Sequence, residues 1–379
     1  MDFDFTEDQE SLRDAVRRWV DKGYGFERRK SIVKAGGFSR EAWGELGELG
    51  LLGLAVPEAQ GGMGFGATEA MVVMEELGRG LVLEPFAAVS LVAAPLLASS
   101  TAPSAALWQQ GVAESKSLLV LAHQERAARY KLAHVETKVE KDGAGNWLIT
   151  GKKSIVPAGE HADAYLVPAR VSGAVDDPDG IALFLVSRGA GVKVRGYPTQ
   201  DGACAAEVEF DRASGIEALP AGPAFGAIEA AIDRGIAALA AEAVGIMDKL
   251  FAVTLDYLNA RKQFGVPIGT FQALRHRVAD VKMQLELARS MCYFASLKLG
   301  EAPEARRRAL SQAKVQLGQS MRFVGQQCIQ MHGGIGVTDV YIAGHYFKRL
   351  TMIELSYGDT LHHLGEVSAR MQDTAGVFA

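Results

Sequence analysis

Several groups of residues have types and spacings that could carry chemistry. The glycine-rich stretch Gly61-Gly62-Met63-Gly64-Phe65-Gly66 could cradle a phosphate. That use wants a strand before the loop and a Lys-Ser/Thr pair after it. Neither is present, so a flexible turn is expected. His332, His345, His362 and His363 do not fall at a metal-binding spacing with a carboxylate partner, so no metal centre is expected. Cys204, Cys292 and Cys328 are odd in number and far apart. They form neither a disulfide framework nor a zinc knuckle, which points to a reducing compartment. Arg306-Arg307-Arg308 reads as a solvated helix face rather than a nucleic-acid contact. Arg261 taken alone is a helix-end cation, favoured where the macrodipole is negative. Asp359 taken alone is an N-cap for the final helix.

Composition bounds what must hold these residues. The 379 residues are 48% hydrophobic and carry a net charge of −5. That fits a globular protein of two or three domains and excludes a disordered chain. It also argues against a general nucleic-acid binder, which needs a basic face. Met1-Asp2-Phe3-Asp4 is acidic where a signal peptide would be positive. The apolar run 86–98 is interrupted by Pro95 and is short of the roughly 20 residues that span a bilayer. A cytoplasmic protein without a membrane span is expected.

Three zones differ in texture. Residues 1–115 read as helical. Thr6 and Gln9 have capping-box spacing, and Leu12, Val16, Trp19 and Val20 recur on one face. A second helix follows Ser39 with Trp43, Leu46 and Leu49. A third, about 68–79, carries a core stripe of Met71, Met74 and Leu77. Residues 116–222 read as short strands: 117–122, 131–141 turning at Asp142-Gly143-Ala144-Gly145-Asn146 into 147–150, then 164–169, 181–186, 192–194 and 205–210. Their spacing predicts a small barrel or sandwich. Residues 223–379 read as an antiparallel bundle of long helices, the third opening on Pro303 and the last broken near Gly358.

Two segments of the third zone are distinctive. Tyr257-Leu258-Asn259-Ala260-Arg261-Lys262-Gln263-Phe264-Gly265-Val266-Pro267-Ile268-Gly269-Thr270-Phe271-Gln272 strongly resembles a signature of the acyl-CoA dehydrogenase family. Gln330-Met331-His332-Gly333-Gly334-Ile335-Gly336 resembles its second C-terminal signature. Weaker echoes lie at 54–58, in the glycine loop, at Glu75-Glu76-Leu77-Gly78-Arg79, at Gly151-Lys152-Lys153 and at Asp201-Gly202. The resemblance covers essentially the whole chain in order. It implies an N-terminal helical domain, a middle β domain and a C-terminal four-helix bundle. It also implies FAD as cofactor and α,β-dehydrogenation of an acyl-CoA thioester, in which a carboxylate takes the α proton and the flavin accepts the β hydride. In such enzymes the flavin ring rests mainly on one subunit's β domain, while the neighbour's C-terminal motifs grip the pyrophosphate and adenosine. Arg261 would meet the pyrophosphate, Gln263 and Phe264 would lie along the cofactor, and Gln330, Gly333 and Gly334 would line the adenosine end.

The sequence departs from the family in one direction. The family's strand ending in Thr-Glu-Pro is replaced by Leu121-Ala122-His123-Gln124-Glu125-Arg126, and its Gly-Ser-Asp element is not present. The aromatic, Ile and hydroxyl expected after Gly151-Lys152-Lys153 fall on Ile155, Val156 and Pro157. The two family positions for the base fall on Tyr357 and Gly235, and the usual acyl-CoA-contacting Arg falls on Ile236, beside Asp233 and Arg234. Asp359, two residues past Tyr357, could serve as base if the helix break differs. The groups offered to a neighbour's FAD are thus kept, while those offered to the chain's own flavin are weakened. Within the family, 1–5 and 354–363 look most like the small subunits of heteromeric enzymes acting on dicarboxylyl thioesters such as pimeloyl-CoA.

Three functions follow as expectations. The first is a subunit pairing with a homologous, catalytically complete large subunit in an α2β2 assembly, with an electron-transferring flavoprotein as acceptor. The second is a self-sufficient homotetramer with Asp359 as base. The third is a non-catalytic structural or acyl-CoA-binding subunit.

Overall fold

The computed structural model describes residues 5–100 and 102–371. The expectations resting on Met1–Asp4 lie outside these residues. The chain opens with α1 (Glu7–Gly23), α2 (Phe26–Lys34), α3 (Arg40–Glu48) and α4 (Ala67–Arg79). The apolar run follows as a π-helical stretch, Ala87–Ala93, leading into α5 (Ala94–Leu97), and then α6 (Ala105–Ala113). Seven strands come next: β1 (Leu119–Leu121), β2 (Lys138–Lys141), β3 (Trp147–Pro157), β4 (Ala164–Arg170), β5 (Ile181–Ser187), β6 (Val192–Pro198) and β7 (Cys204–Leu219). The last stretch is α7 (Pro223–Ala260), a hairpin of β8 (Lys262–Gln263) and β9 (Val266–Pro267), α8 (Gln272–Leu297), α9 (Pro303–His332), α10 (Ile342–Leu355) and α11 (Thr360–Met371). By packing, the chain divides into two compact units: 1–29 with 67–82 and 236–379, and 30–66 with 83–235. Among the described residues no helix is long and apolar enough to cross a membrane.

The first unit is helical. Thr6 and Gln9 close a reciprocal capping box on α1, satisfying two backbone N–H groups that a helix start leaves open. The buried residues of α1, Val16 and Val20, lie on the face that meets α4, whose Met71, Met74 and Leu77 are also buried. α4 and α7 approach at backbone distance. A Cβ on Gly78 would lie 2.2 Å from the Glu242 carbonyl oxygen, and one on Gly245 would lie 1.9 Å from that of Glu75. Only glycine fits either place. α9 is the spine, with α8, α10 and α11 packed along it. Pro303 sits in its first turn, where no backbone donor is needed. Glu242 ties α7 to α10 by accepting from two guanidinium nitrogens of Arg349, at 2.5 and 2.8 Å.

The second unit holds the barrel. Its ring closes through β4, β2, β3, β7, β5 and back to β4. β7 makes closure possible by its length. One edge pairs with β3, while the other takes β6 along Cys204–Phe210 and β5 along Ile216–Leu219. The expected turn at Asp142–Asn146 joins β2 to β3, with Asp142 Oδ1 accepting from the N–H groups of Ala144 and Asn146.

Some expectations shift. The alternating stretch 131–141 is strand only from Lys138. Arg170 explains the rest: its guanidinium donates to the carbonyls of Ala133, Val135, Ser172, Val175 and Asp177, and so pulls 133–135 out of extended pairing. The helices α2, α5 and α6 were not anticipated. Ser39 caps α3 as expected, while Leu49 lies past that helix and is 37% exposed. The glycine loop is a turn, and a Cβ on Gly62 would lie 2.1 Å from the Val56 carbonyl oxygen, so close packing requires that glycine.

Candidate functional site

The end of α7 turns out into a two-residue hairpin. Lys262 pairs with Pro267 and Gln263 with Val266. Phe264 and Gly265 form the turn with φ of 53° and 82°, which suits a tight hairpin of the strands' own twist. Phe264 is 92% exposed and meets Phe271 edge to face, with ring centroids 6.0 Å apart. The Arg261 carbonyl accepts from the Ile268 N–H at 2.8 Å and locks the hairpin to the start of α8. Arg261 and Gln263 are exposed.

The end of α9 supplies the second segment. Gln330 is exposed on the last turn. Gly333 has φ 65° and ψ −144°, a conformation closed to side chains. A Cβ at Gly333 or Gly334 would meet nothing within 4 Å, so the backbone there faces open space. His332 joins the two segments. It is buried, its Nδ1 lies 2.8 Å from the Cys328 carbonyl oxygen, and burial pushes its pKa down. Its ring packs on Tyr257 at 4.7 Å and on Tyr341 at 5.1 Å. Sequence reasoning weighed His332 only as a metal ligand. The signal for its packing role was an aromatic residue, Tyr257, one helical turn before Arg261. Among the described residues no group of His, Cys, Asp and Glu is placed to hold a metal ion.

The turn between α10 and α11 holds the expected base position. Tyr357 occupies it with φ 57°, and burial pushes its phenol up to about 12, so it cannot accept a proton near neutral pH. Asp359 Oδ1 accepts from the His362 N–H at 2.8 Å and caps α11. Around the turn lies a buried polar network. Lys314 Nζ donates to the carbonyls of Ile353, Glu354 and Ser356, finishing α10, and burial lowers its pKa to about 8. Glu354 Oε1 accepts from the N–H and Oγ1 of Thr360. His363 is 3% exposed. Its Nε2 donates to the Tyr357 carbonyl at 3.0 Å, leaving Nδ1 to accept from Ser311 Oγ at 3.2 Å. The other base position, Gly235, lies within α7 and has no side chain.

In the second unit, Glu125 occupies the centre of the replaced strand end. It accepts from Lys153 Nζ and Thr137 Oγ1, both at 2.7 Å, and from the Glu136 N–H at 2.6 Å. Burial raises the Glu125 pKa, but the Lys153 cation and these donors outweigh it and hold the carboxyl below the usual range. Beyond Lys153 the β3–β7 register shifts. Ile155 stands 48% exposed at φ 52°, a strained place for a β-branched residue. Ser154 Oγ and Tyr197 OH are both engaged by Glu207, at 2.9 and 3.1 Å. A groove of about 810 Å³ opens here, bordered by Arg126, Lys152, Arg195, Glu207 and Glu209, with no aromatic side chain in its lining.

The donor set of the C-terminal segments fits a dinucleotide tail: exposed cations and amides, an exposed aromatic, and glycine backbone facing open space. Comparison with known proteins agrees with the fold. The N-terminal, middle and C-terminal domain models of acyl-CoA dehydrogenases match residues 6–116, 121–213 and 225–372. The chain belongs to the acyl-CoA dehydrogenase family, FAD-dependent oxidoreductases that act on CH–CH bonds. It is 29% identical over 356 residues to acyl-CoA dehydrogenase FadE12 of Mycobacterium tuberculosis, covering 89% of this chain and 88% of that one. Among solved structures it resembles a variant of the Tcur3481–Tcur3483 steroid ACAD, with TM-score 0.86 and 27% identity over 97% of this chain and 99% of that one. It also resembles the ChsE4–ChsE5 complex of Mycobacterium tuberculosis, with TM-score 0.88 and 25% identity over 99% of this chain and 100% of that one.

Proposed function

We propose that this chain is the small subunit of a heteromeric acyl-CoA dehydrogenase. It grips the pyrophosphate and adenosine of FAD for a homologous, catalytically complete partner in an α2β2 assembly. The observation that carries this reading is the contrast inside the first unit. The two C-terminal segments are intact and locked together by His332, whereas Tyr357 stands where the base belongs. Two of the similar solved structures are named as pairs, Tcur3481–Tcur3483 and ChsE4–ChsE5, which supports a two-component assembly.

FAD, when bound, supplies the acceptor for the hydride leaving the acyl β carbon. Arg261 would fork onto the pyrophosphate as a permanent cation. Gln263 and Phe264 would lie along the cofactor, and Gln330 with the Gly333-Gly334 backbone would take the adenosine end. Asp359 serves as a helix cap, and the partner supplies the proton-abstracting carboxylate. The substrate class we assign is a bulky or dicarboxylyl acyl-CoA, with the likeness of 354–363 to pimeloyl-CoA dehydrogenase small subunits as its support. An electron-transferring flavoprotein is the assigned acceptor, the cytoplasm the assigned compartment, and 1–115, 116–222 and 223–379 the assigned domains. The test is flavin stoichiometry by absorbance, on the chain alone and co-expressed with its partner. One FAD for each pair of unlike subunits is expected, with little on the chain alone. Tight stoichiometric FAD on the lone homo-oligomer overturns the reading.

A further inference from the structure

The hairpin and the first turns of α8 carry an unusual set of charges. Arg261, Lys262, Arg275 and Arg277 are all exposed, and among the described residues no carboxylate pairs with any of them. Further along α8 and at its end, and on α10 and α11, other cations do find partners: Lys282 with Glu286, Lys298 with Glu301, Lys348 with Asp339 and Arg370 with Glu366. Single surface pairs contribute little energy, but their absence leaves these four charges available to an anion.

Two of these cations are held in place. Arg275 donates from Nε to the Gly269 carbonyl at 3.0 Å and so fixes the turn between hairpin and helix. Arg277 reaches across to α9, where its Nη1 donates to Gln327 Oε1 at 2.6 Å. Gln327 lies three residues before Gln330, hence on the same helical face. The tether is a neutral amide. It holds the guanidinium against the face of α9 that carries Gln330 without cancelling its charge, and it occupies one of five N–H donors.

We infer that Arg277 is a second cation of the dinucleotide grip, held by Gln327 so that its remaining donors meet a phosphate oxygen of FAD. This rests on the reading that the C-terminal segments hold FAD. The test uses the flavin-loaded assembly, with FAD retention followed by absorbance during dialysis at rising salt. Arg277→Gln should weaken retention about tenfold and flatten its salt dependence, because one screened ionic contact is gone. Gln327→Glu, which would neutralise the guanidinium in place, should weaken it similarly, and Arg277→Lys should recover part of the loss. Circular dichroism and assembly mass should stay unchanged, since Arg277 is exposed and Gln327, half-buried, changes to a residue of nearly the same shape. Wild-type retention in Arg277→Gln, with loss in Arg261→Ala, overturns the inference and leaves the reading standing. Wild-type retention in Arg261→Ala as well overturns both.

Discussion

His332 stacks on Tyr257 with ring centroids 4.7 Å apart and planes tilted by 32°. The first ring closes α9 at the glycine pair, and the second sits one turn before Arg261 at the end of α7. Two segments far apart in sequence thereby share one aromatic contact, buried on the His332 side, and the Arg261 hairpin cannot shift without disturbing Gln330 and Gly333. An offset ring pair of this kind adds about 0.5–1.5 kcal/mol beyond the area it buries.

His332→Ala should therefore destabilise the fold by roughly 2–4 kcal/mol, as a buried ring replaced by a void does. FAD retention by the assembly should fall as well. His332→Phe keeps the stack and loses only the bond to the Cys328 carbonyl, so its cost should stay within about 1.5 kcal/mol. Urea denaturation beside flavin absorbance measures both. Equal losses in the two variants would rule out stacking as the link.

Asp359 tests the assignment of roles. As a cap it should tolerate Asn, a good N-cap, and lose about 1 kcal/mol on Asp359→Ala. Turnover of the assembly should be unaffected by Asp359→Asn. Abolished turnover with normal flavin content would make Asp359 the base and restore the self-sufficient homotetramer.

His363 should make the protein acid-sensitive. Burial first, then the Lys314 cation and His362, push its pKa down to about 3. Unfolded, the same ring takes a proton near 6.5. Between these values the unfolded chain binds more protons, so stability is complete above 6.5 and falls as pH drops, by about 1.4 kcal/mol for each unit from this group alone. Urea midpoints compared between pH 7 and 4 should fall more steeply in the wild type than in His363→Gln. Parallel curves would show that His363 does not govern the slope.

The Glu125–Lys153 pair is wholly inside the second unit, with side-chain exposures of 3% and 0%. Lys153→Met leaves a buried carboxylate without its cation and should cost about 3–5 kcal/mol. Adding Glu125→Gln removes the stranded charge, so the double variant should be less destabilised than the sum of the singles. A double-mutant cycle in urea measures this, and strict additivity would mean the two groups do not interact.

Local chemistry made much of this protein legible in its sequence. The capping box at Thr6 and Gln9, the Ser39 cap, Pro303 in a first turn, the Asp142–Asn146 hairpin and the break at Gly358 are each settled by partners a few residues away, and the structure has them all. The two C-terminal segments were readable because each is contiguous. What depends on distant partners was not. Arg170 decided that 133–135 would not pair as strand, the length of β7 decided that the sheet would close, and packing decided that His332 and His363 would be buried and neutral. A residue's type fixes which bonds it can form. Only the fold determines which partners come within reach and whether water remains beside them.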